Sequence, residues 1–278
     1  PGKMNFRKTL SVDEKNNPFN IGIIGLGRVG LPSAKAYLHN RYKVHGYARR
    51  AEVIKEFEEM GGIHHSSPAE VAKCCRIVLV MVLNDQQVIE VISGNDGLLK
   101  ESQKDSIIVC MSTINKKNLE IVANECSLKN VGFVDCPFTG GPARIPSGSL
   151  TLIAAGRLDL IEKVKPVLSV IGNVVNVGEN PGLGQSVKHC NQLLVGATHA
   201  ATMELITMAR KLDLDPEIVC RIAGSGIAGS DYFRLLSESV LKEKPSPGGL
   251  GQMCKDISIV KNTLDEIKMT AYVAGSVA

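Results

Sequence analysis

The sequence predicts an α/β fold: a doubly wound parallel sheet followed by an all-helical domain, joined by one long helix. Three observations predict it. Short apolar runs alternate with helical patterns from Asn20 to about residue 180, the order that parallel strands and crossover helices require. Segments 76–83 (RIVLVMVL) and 106–111 (SIIVCM) are almost wholly apolar, as strands covered on both faces must be. After Gly184 the strand pattern stops, and 185–212 reads as one long helix. The expected domains are therefore 20–180 and 181–278.

Each element has a local reason. Residues 20–24 are a short apolar run that ends in a glycine-rich turn, and 28–39 then takes a helical pattern. Residues 43–47 form a second strand, and 51–60 a helix rich in Glu and Lys. Residues 68–74 are a short helix with Ser67 as its N-cap. Strand 76–83, helix 86–92, strand 106–111 and helix 117–127 follow. Strands 132–136 and 150–155, helix 158–171 and strand 173–177 complete the first domain. The helix over 185–212 is apolar on most of its circumference, which places it between layers or between subunits. Residues 216–222, 231–242 and 251–267 are further helices, separated by Gly/Ser/Pro-rich loops at 224–229 and 244–251. There is no internal repeat.

Composition excludes several classes. At roughly 100–200 residues per domain, a chain of this length holds one large domain or two ordinary ones. Apolar residues make up 44% and charged residues 22%, a globular balance that argues against disorder. Lys and Arg exceed Asp and Glu by 32 to 28, a net +4 spread along the chain. With no Trp and 4% aromatics, neither a basic patch nor a base-stacking surface is expected, so nucleic acid is not a partner. No apolar run reaches the roughly 18 residues of a membrane span. Residues 1–20 lack the apolar centre of a signal peptide, and Pro1-Gly2 reads as a vector-derived remnant. The expectation is a cytoplasmic protein.

The eight cysteines (Cys74, Cys75, Cys110, Cys126, Cys136, Cys190, Cys220 and Cys254) form no C-x-x-C pair. They read as reduced, packed thiols. His64 and His65 are adjacent, and adjacent side chains converge poorly on one ion. No metal is expected.

The chemistry begins at Gly25-Leu26-Gly27-Arg28-Val29-Gly30, directly after a strand and opening a helix. Gly25 permits a tight turn, Gly27 lets a pyrophosphate approach the backbone, and Gly30 allows the helix to pack on the strand. An ordinary glycine-rich turn is the competing reading. The flanking strand, helix and second strand favour a dinucleotide-binding Rossmann domain. An acid that would bind a ribose 2′-hydroxyl is absent at the end of the second strand, which reads Gly46-Tyr47-Ala48-Arg49-Arg50. Two guanidinium groups there suit a 2′-phosphate. Cations at a helix start oppose its dipole and need such a reason. The expected cofactor is NADP rather than NAD.

With these residues in view, the chain resembles the β-hydroxyacid dehydrogenase family, which includes 3-hydroxyisobutyrate dehydrogenases and glyoxylate/succinic-semialdehyde reductases. Four blocks carry the resemblance, from Asn20 to the end. They are Gly25–Pro32, Asp135-Cys-Pro-Phe-Thr-Gly-Gly-Pro142 with Gly148–Thr151, Gly182–Asn191, and Lys255-Asp256. Leu83-Asn84-Asp85 and Ser112-Thr113-Ile114 resemble the family's cofactor-touching loops. Three positions depart from the pattern: Thr139 stands for Ser, Gln192 for a second Asn, and Ala48 for the Asn before Arg49. The chain also ends about one helix early by this comparison.

The resemblance implies a reaction and the residues for it. Oxidising a hydroxyl needs a hydride acceptor and a base; a Lys serves if burial or nearby charge lowers its pKa, and in reverse it is the acid. Lys188 is implied as that group, with Asn191 as its orienting or substrate-contacting partner. Asn191 and Gln192 lie at i+3 and i+4 from Lys188 on one helix face. A surface lysine on an amphipathic helix is the competing reading. Thr139, Gly140 and Gly141 offer a hydroxyl and open backbone N–H groups for a carboxylate. Arg144 is either a second carboxylate contact or a solvated loop arginine. Lys255, with Leu83, Asn84 and Thr113, is implied near the cofactor. His189 and Cys190 are packing residues.

The expected function is NADP(H)-dependent interconversion of a small β-hydroxy acid and its semialdehyde or keto acid, in a homodimer or homotetramer. Two alternatives share the fold: a catalytically silent cofactor-binding scaffold, and an imine reductase. Lys188 argues against both. A 6-phosphogluconate dehydrogenase proper needs a larger helical domain than roughly 95 residues supply.

Overall fold

A computed structural model describes residues 20–245 and 249–272. The readings made for residues 1–19 and 273–278, and the middle of the 244–251 loop, lie outside the described residues.

The first half alternates as the apolar runs require. β1 (Asn20–Ile24), α1 (Gly30–His39), β2 (Lys43–Tyr47), α2 (Ala51–Glu59), β3 (Ile63–His64), α3 (Pro68–Cys74), β4 (Ile77–Val80) and α4 (Asp85–Ser93) come first. β5 (Ile107–Cys110), α5 (Lys116–Leu128), β6 (Gly132–Asp135), β7 (Phe138–Thr139), β8 (Leu150–Ala155), α6 (Leu158–Leu168) and β9 (Gly172–Gly178) follow. The sheet order is β3-β2-β1-β4-β5-β6-β8-β7, with β9 on β8. From β3 to β6 every pair is parallel. The order reverses on either side of β1 and β4, so the carboxyl ends of these strands form the crevice in which such sheets bind ligands.

Three strands depart from the expected pattern. β3 and β7 are only two residues long, too short for an alternation signal. β8 runs antiparallel to β6 and β7, while β9 returns parallel to β8 through α6. A parallel crossover needs a dozen or more residues, usually helical. Residues 140–149 hold only a 3-10 turn at Pro142–Arg144, so the chain turns back as a hairpin. The sheet is therefore parallel from β3 to β6 and mixed beyond it.

Two apolar layers sandwich the sheet. Ile23, Tyr37, Phe57, Leu79 and Ile161 belong to one; Val71, Val88, Ile92, Ile108 and Leu119 belong to the other. Buried on both faces, the central strands carry no polar alternation.

α7 (Leu183–Lys211) then runs for 29 residues, followed by α8 (Pro216–Ser225), α9 (Asp231–Leu241) and α10 (Leu250–Glu266). The face of α7 buried within the chain is not its apolar one. Up to Thr202 it carries Gly184, Gln185, Lys188, His189, Gln192 and Gly196, and only Ile206 and Ala209 near the end bury apolar side chains, whereas Val187, Leu194, Met203 and Met208 are exposed. No described helix is long and apolar enough to cross a membrane.

Candidate active site

The glycine loop closes the carboxyl end of β1. Gly25 holds φ +96° and its N–H donates to the Tyr47 carbonyl at 3.0 Å, tying the loop to β2. A Cβ on Gly30 would overlap the Gly25 carbonyl, whereas a Cβ on Gly27 would meet nothing within 4 Å. The first is packing, and the second is open backbone at the start of α1, as a bound pyrophosphate requires. Leu26 is buried in the core and Val29 packs against it. Arg28 is exposed and reaches Gly249, where a Cβ would come within 2.7 Å of its guanidinium.

Arg49 and Arg50 lie between β2 and α2, both exposed. Arg50 is 3.7 Å from Glu52, a solvent-exposed pair, while Arg49 has no ion pair among the described residues. Leu83 is exposed beside the same crevice. Asn84 is engaged locally, since its side chain accepts from Gln87 N–H at 3.0 Å and caps α4. Asp85 Oδ1 accepts from the Asn115 N–H and from the side-chain amides of Asn115 and Asn118.

α7 is seated on the sheet by one buried carboxylate. Asp135 ends β6 with no exposed surface. Its Oδ2 accepts from Gly182 N–H at 2.9 Å and Gln185 N–H at 3.1 Å; its Oδ1 accepts from Gln185 Nε2 at 2.9 Å. Gln185 also donates to the Ser112 carbonyl and accepts from Ile114 N–H, each near 3 Å (3.1 and 3.0 Å). Burial pushes Asp135 up to about 6, against the pull of these donors. The carboxylate satisfies N–H groups that a helix start leaves without partners. Gly184 is required here, since a Cβ would come within 2.8 Å of Asp135 Oδ2. Sequence reasoning does not mark Asp135 or Gln185 as site residues. The available signal is an acid closing an apolar strand.

One turn further along α7, the side chains meet as the i+3 and i+4 spacing predicts. Lys188 Nζ donates to Gln192 Oε1 at 2.8 Å, and Asn191 Nδ2 donates to the same oxygen at 2.9 Å. Gln192 Nε2 donates to Asp256 Oδ2 on α10 at 2.6 Å. Lys255 Nζ pairs with Asp256 Oδ1 at 2.9 Å and donates to the Thr113 carbonyl at 2.7 Å. Lys188 is thus not a surface lysine: it is 8% exposed. Its pKa falls to about 8, first through burial and then through the Lys255 charge, with Asp256 opposing. Gln192 and Asp256 bridge the lysine to α10.

The turn at 139–141, expected from the sequence to bind substrate, is close to the surface. Thr139 lies in β7; Gly140 and Gly141 are exposed with φ +116° and +75°. Arg144 Nη2 donates to Asp231 Oδ2 of α9 at 3.2 Å across an exposed gap. Among the described residues no hydrogen bond links this turn to the Lys188 cluster. His189 packs as expected, its ring bonded to the Ile114 carbonyl and to Thr263, both at 3.0 Å.

One expectation needs correction, and the reasoning behind a second was incomplete. Five cysteines are buried, but Cys74, Cys190 and Cys254 are exposed, because helix ends and outer helix faces put them in solvent. The expectation of no metal weighed only the adjacent pair His64–His65. The fold instead brings His65 beside His45 and Cys74, neighbours that sequence distance conceals.

The chain resembles known proteins over its whole described length. Residues 20–178 match the family model of the NAD binding domain of 6-phosphogluconate dehydrogenase. Residues 182–278 match that of the NAD-binding domain of NADP-dependent 3-hydroxyisobutyrate dehydrogenase. It is 33% identical to the mitochondrial 3-hydroxyisobutyrate dehydrogenase of Mus musculus over 267 residues, covering 93% of this chain and 79% of that protein. It is 30% identical to the L-threonate dehydrogenase of Cupriavidus necator over 246 residues, 88% of this chain and 83% of the relative. A crystal structure of 3-hydroxyisobutyrate dehydrogenase from Salmonella typhimurium has the same fold, with TM-score 0.86 at 24% identity over 93% of this chain and 91% of that one.

Proposed function

Because this chain belongs to the β-hydroxyacid dehydrogenase family, we propose that it interconverts a small β-hydroxy acid and its semialdehyde or keto acid, using NADP(H), with Lys188 as general acid/base. The observation that carries this reading is the buried Lys188, lowered to about 8 and held by Gln192. A lysine at about 8 is partly neutral near physiological pH and can move a proton either way.

The loop from Gly25 to Gly30 would hold the pyrophosphate, and Arg49 and Arg50 a 2′-phosphate. Arg49 is the better placed of the two, since Arg50 already leans on Glu52. When bound, the nicotinamide takes or returns the hydride. Neutral Lys188 accepts the hydroxyl proton at Nζ in oxidation, and its ammonium returns it in reduction. Asn191 and Gln192 orient that nitrogen, and Lys255 holds α10 against the Thr113 loop. Thr139, Gly140, Gly141 and, on the far side, Arg144 receive the substrate carboxylate. A scaffold without chemistry has no need to bury a lysine at a cost in desolvation. Imine reductases usually carry another residue at this position, so the same lysine disfavours that reading.

The test is NADPH oxidation against a panel of glyoxylate, succinic semialdehyde, methylmalonate semialdehyde and tartronate semialdehyde, with NADH in parallel. The expected result is turnover of at least one substrate, faster with NADPH. Tight NADPH binding without turnover of any would refute the proposed reaction, and equal use of NADH would refute the role of the arginines.

A further inference from the structure

Three residues that the reaction does not use converge on the face of the sheet that α3 covers. His45 lies in β2, His65 directly after β3, and Cys74 ends α3. One donor atom of each lies within 4.8 Å of the other two, the sole such group of His, Cys, Asp or Glu among the described residues. We propose that His45, His65 and Cys74 form a binding site for a zinc-class divalent cation, with water as the fourth ligand.

The topology makes the meeting inevitable. His45 pairs with Ile63 and Gly46 with His64 in the β2–β3 register. Successive side chains alternate between faces, so His65 returns to the face of His45 while His64 takes the other. Gly22, the β1 neighbour of His45, has its side-chain position against Val71 of α3. This face is therefore the one α3 covers, and Cys74 is that helix's last residue. Because α3 leads into β4, Cys74 lies toward the amino ends of the strands, away from the glycine loop.

The donors suit the ion. His45 is 5% exposed; its Nδ1 is 2.8 Å from His65 Nε2, and its own Nε2 has no partner. Burial, with His65 and Lys43 adding, lowers His45 to about 4, and burial also lowers His65. Burial thus favours the neutral form in which imidazoles bind a metal. Two imidazoles and a thiolate select zinc-class ions over Mg²⁺ or Ca²⁺, which take oxygen. At Zn–N bonds of roughly 2.0–2.1 Å, a tetrahedral angle needs the two nitrogens about 3.3 Å apart, a small opening of the present pair. A ring-to-ring hydrogen bond alone explains that pair, but not the approach of Cys74 to both rings. Glu70, whose field acts on His65, favours a cation; Lys43, on the His45 strand, opposes one. The exposed Cys74 gives the ion its entry.

The test is a Co²⁺ titration of the reduced, chelator-stripped full chain. The expected result is about one equivalent bound per chain, with visible d–d bands of tetrahedral strength and a thiolate-to-cobalt charge-transfer band, both displaced by Zn²⁺. Cys74→Ser removes the charge-transfer band, His65→Ala weakens binding about 100-fold or more, and Cys254→Ser changes neither. NADPH binding persists in both site variants, which also reports that they fold. Absence of the charge-transfer band, or its survival in Cys74→Ser, identifies an adventitious ion only and overturns the proposal. The outcome is independent of the reaction proposed above.

Discussion

In the proposed reaction, the protonation of Lys188 decides the direction the site favours. Burial removes water from its ammonium, the Lys255 charge repels it, and Asp256 only partly compensates. The result, about 8, has a directional consequence. Oxidation needs the neutral amine, so kcat/KM for the hydroxy acid climbs with pH at a slope of about one and levels off above about 8. Reduction needs the ammonium, so kcat/KM for the carbonyl substrate is flat below that value and falls above it. Profiles measured in both directions should therefore be mirror images with one shared midpoint. Two unrelated midpoints would mean that a different group moves the proton. The Gln192 side chain spans from Lys188 to Asp256. The i+4 spacing made its position legible, but its partner on α10, 64 residues away, was not.

At the scale of elements, the strands and helices that can be read from sequence are those long enough to show a period. The apolar runs of β1, β4 and β5 and the helical patterns of α2 and α7 announce themselves. β3 and β7 do not, because two residues have no period. The antiparallel turn into β8 was legible in principle, since the segment between β7 and β8 has no room for a crossover helix. The way α7 docks was not legible, because the contact joins Asp135 to Gln185 across 50 residues. That lock is testable. Asn at 135 offers one acceptor where the carboxylate offers two, and its amide would confront Gln185 Nε2. If Gln185 flipped to compensate, it would lose its bonds to Ser112 and Ile114. Asp135→Asn should therefore destabilise the fold by about 1–3 kcal/mol in urea unfolding, with kcat falling as Lys188 loses its register. An unchanged midpoint would show that the helix start finds its partners elsewhere.

At the scale of the whole molecule, α7 leaves an apolar seam exposed among the described residues. Val187, Leu194, Ala201 and Met208 recur every seven residues on the exposed face of α7, opposite the polar face that builds the site. Seven-residue spacing keeps one stripe on one side, where a second helix packs. With the exposed Ile218 and Ile222 of α8, this surface accounts for the proposed dimer or tetramer. Light scattering should give a multiple of 29.8 kDa, shifting toward monomer in Leu194→Asp with Met208→Asp; a monodisperse monomer of the unaltered chain would refute it. The central claim, however, is that sheet and helices meet to place one lysine beside a bound nicotinamide. The most direct test is steady-state NADPH oxidation by Lys188→Ala on the best carbonyl substrate, with NADPH affinity followed by fluorescence. The prediction is turnover lower by about 10²–10⁴-fold with affinity retained. Turnover near that of the unaltered chain would contradict the account.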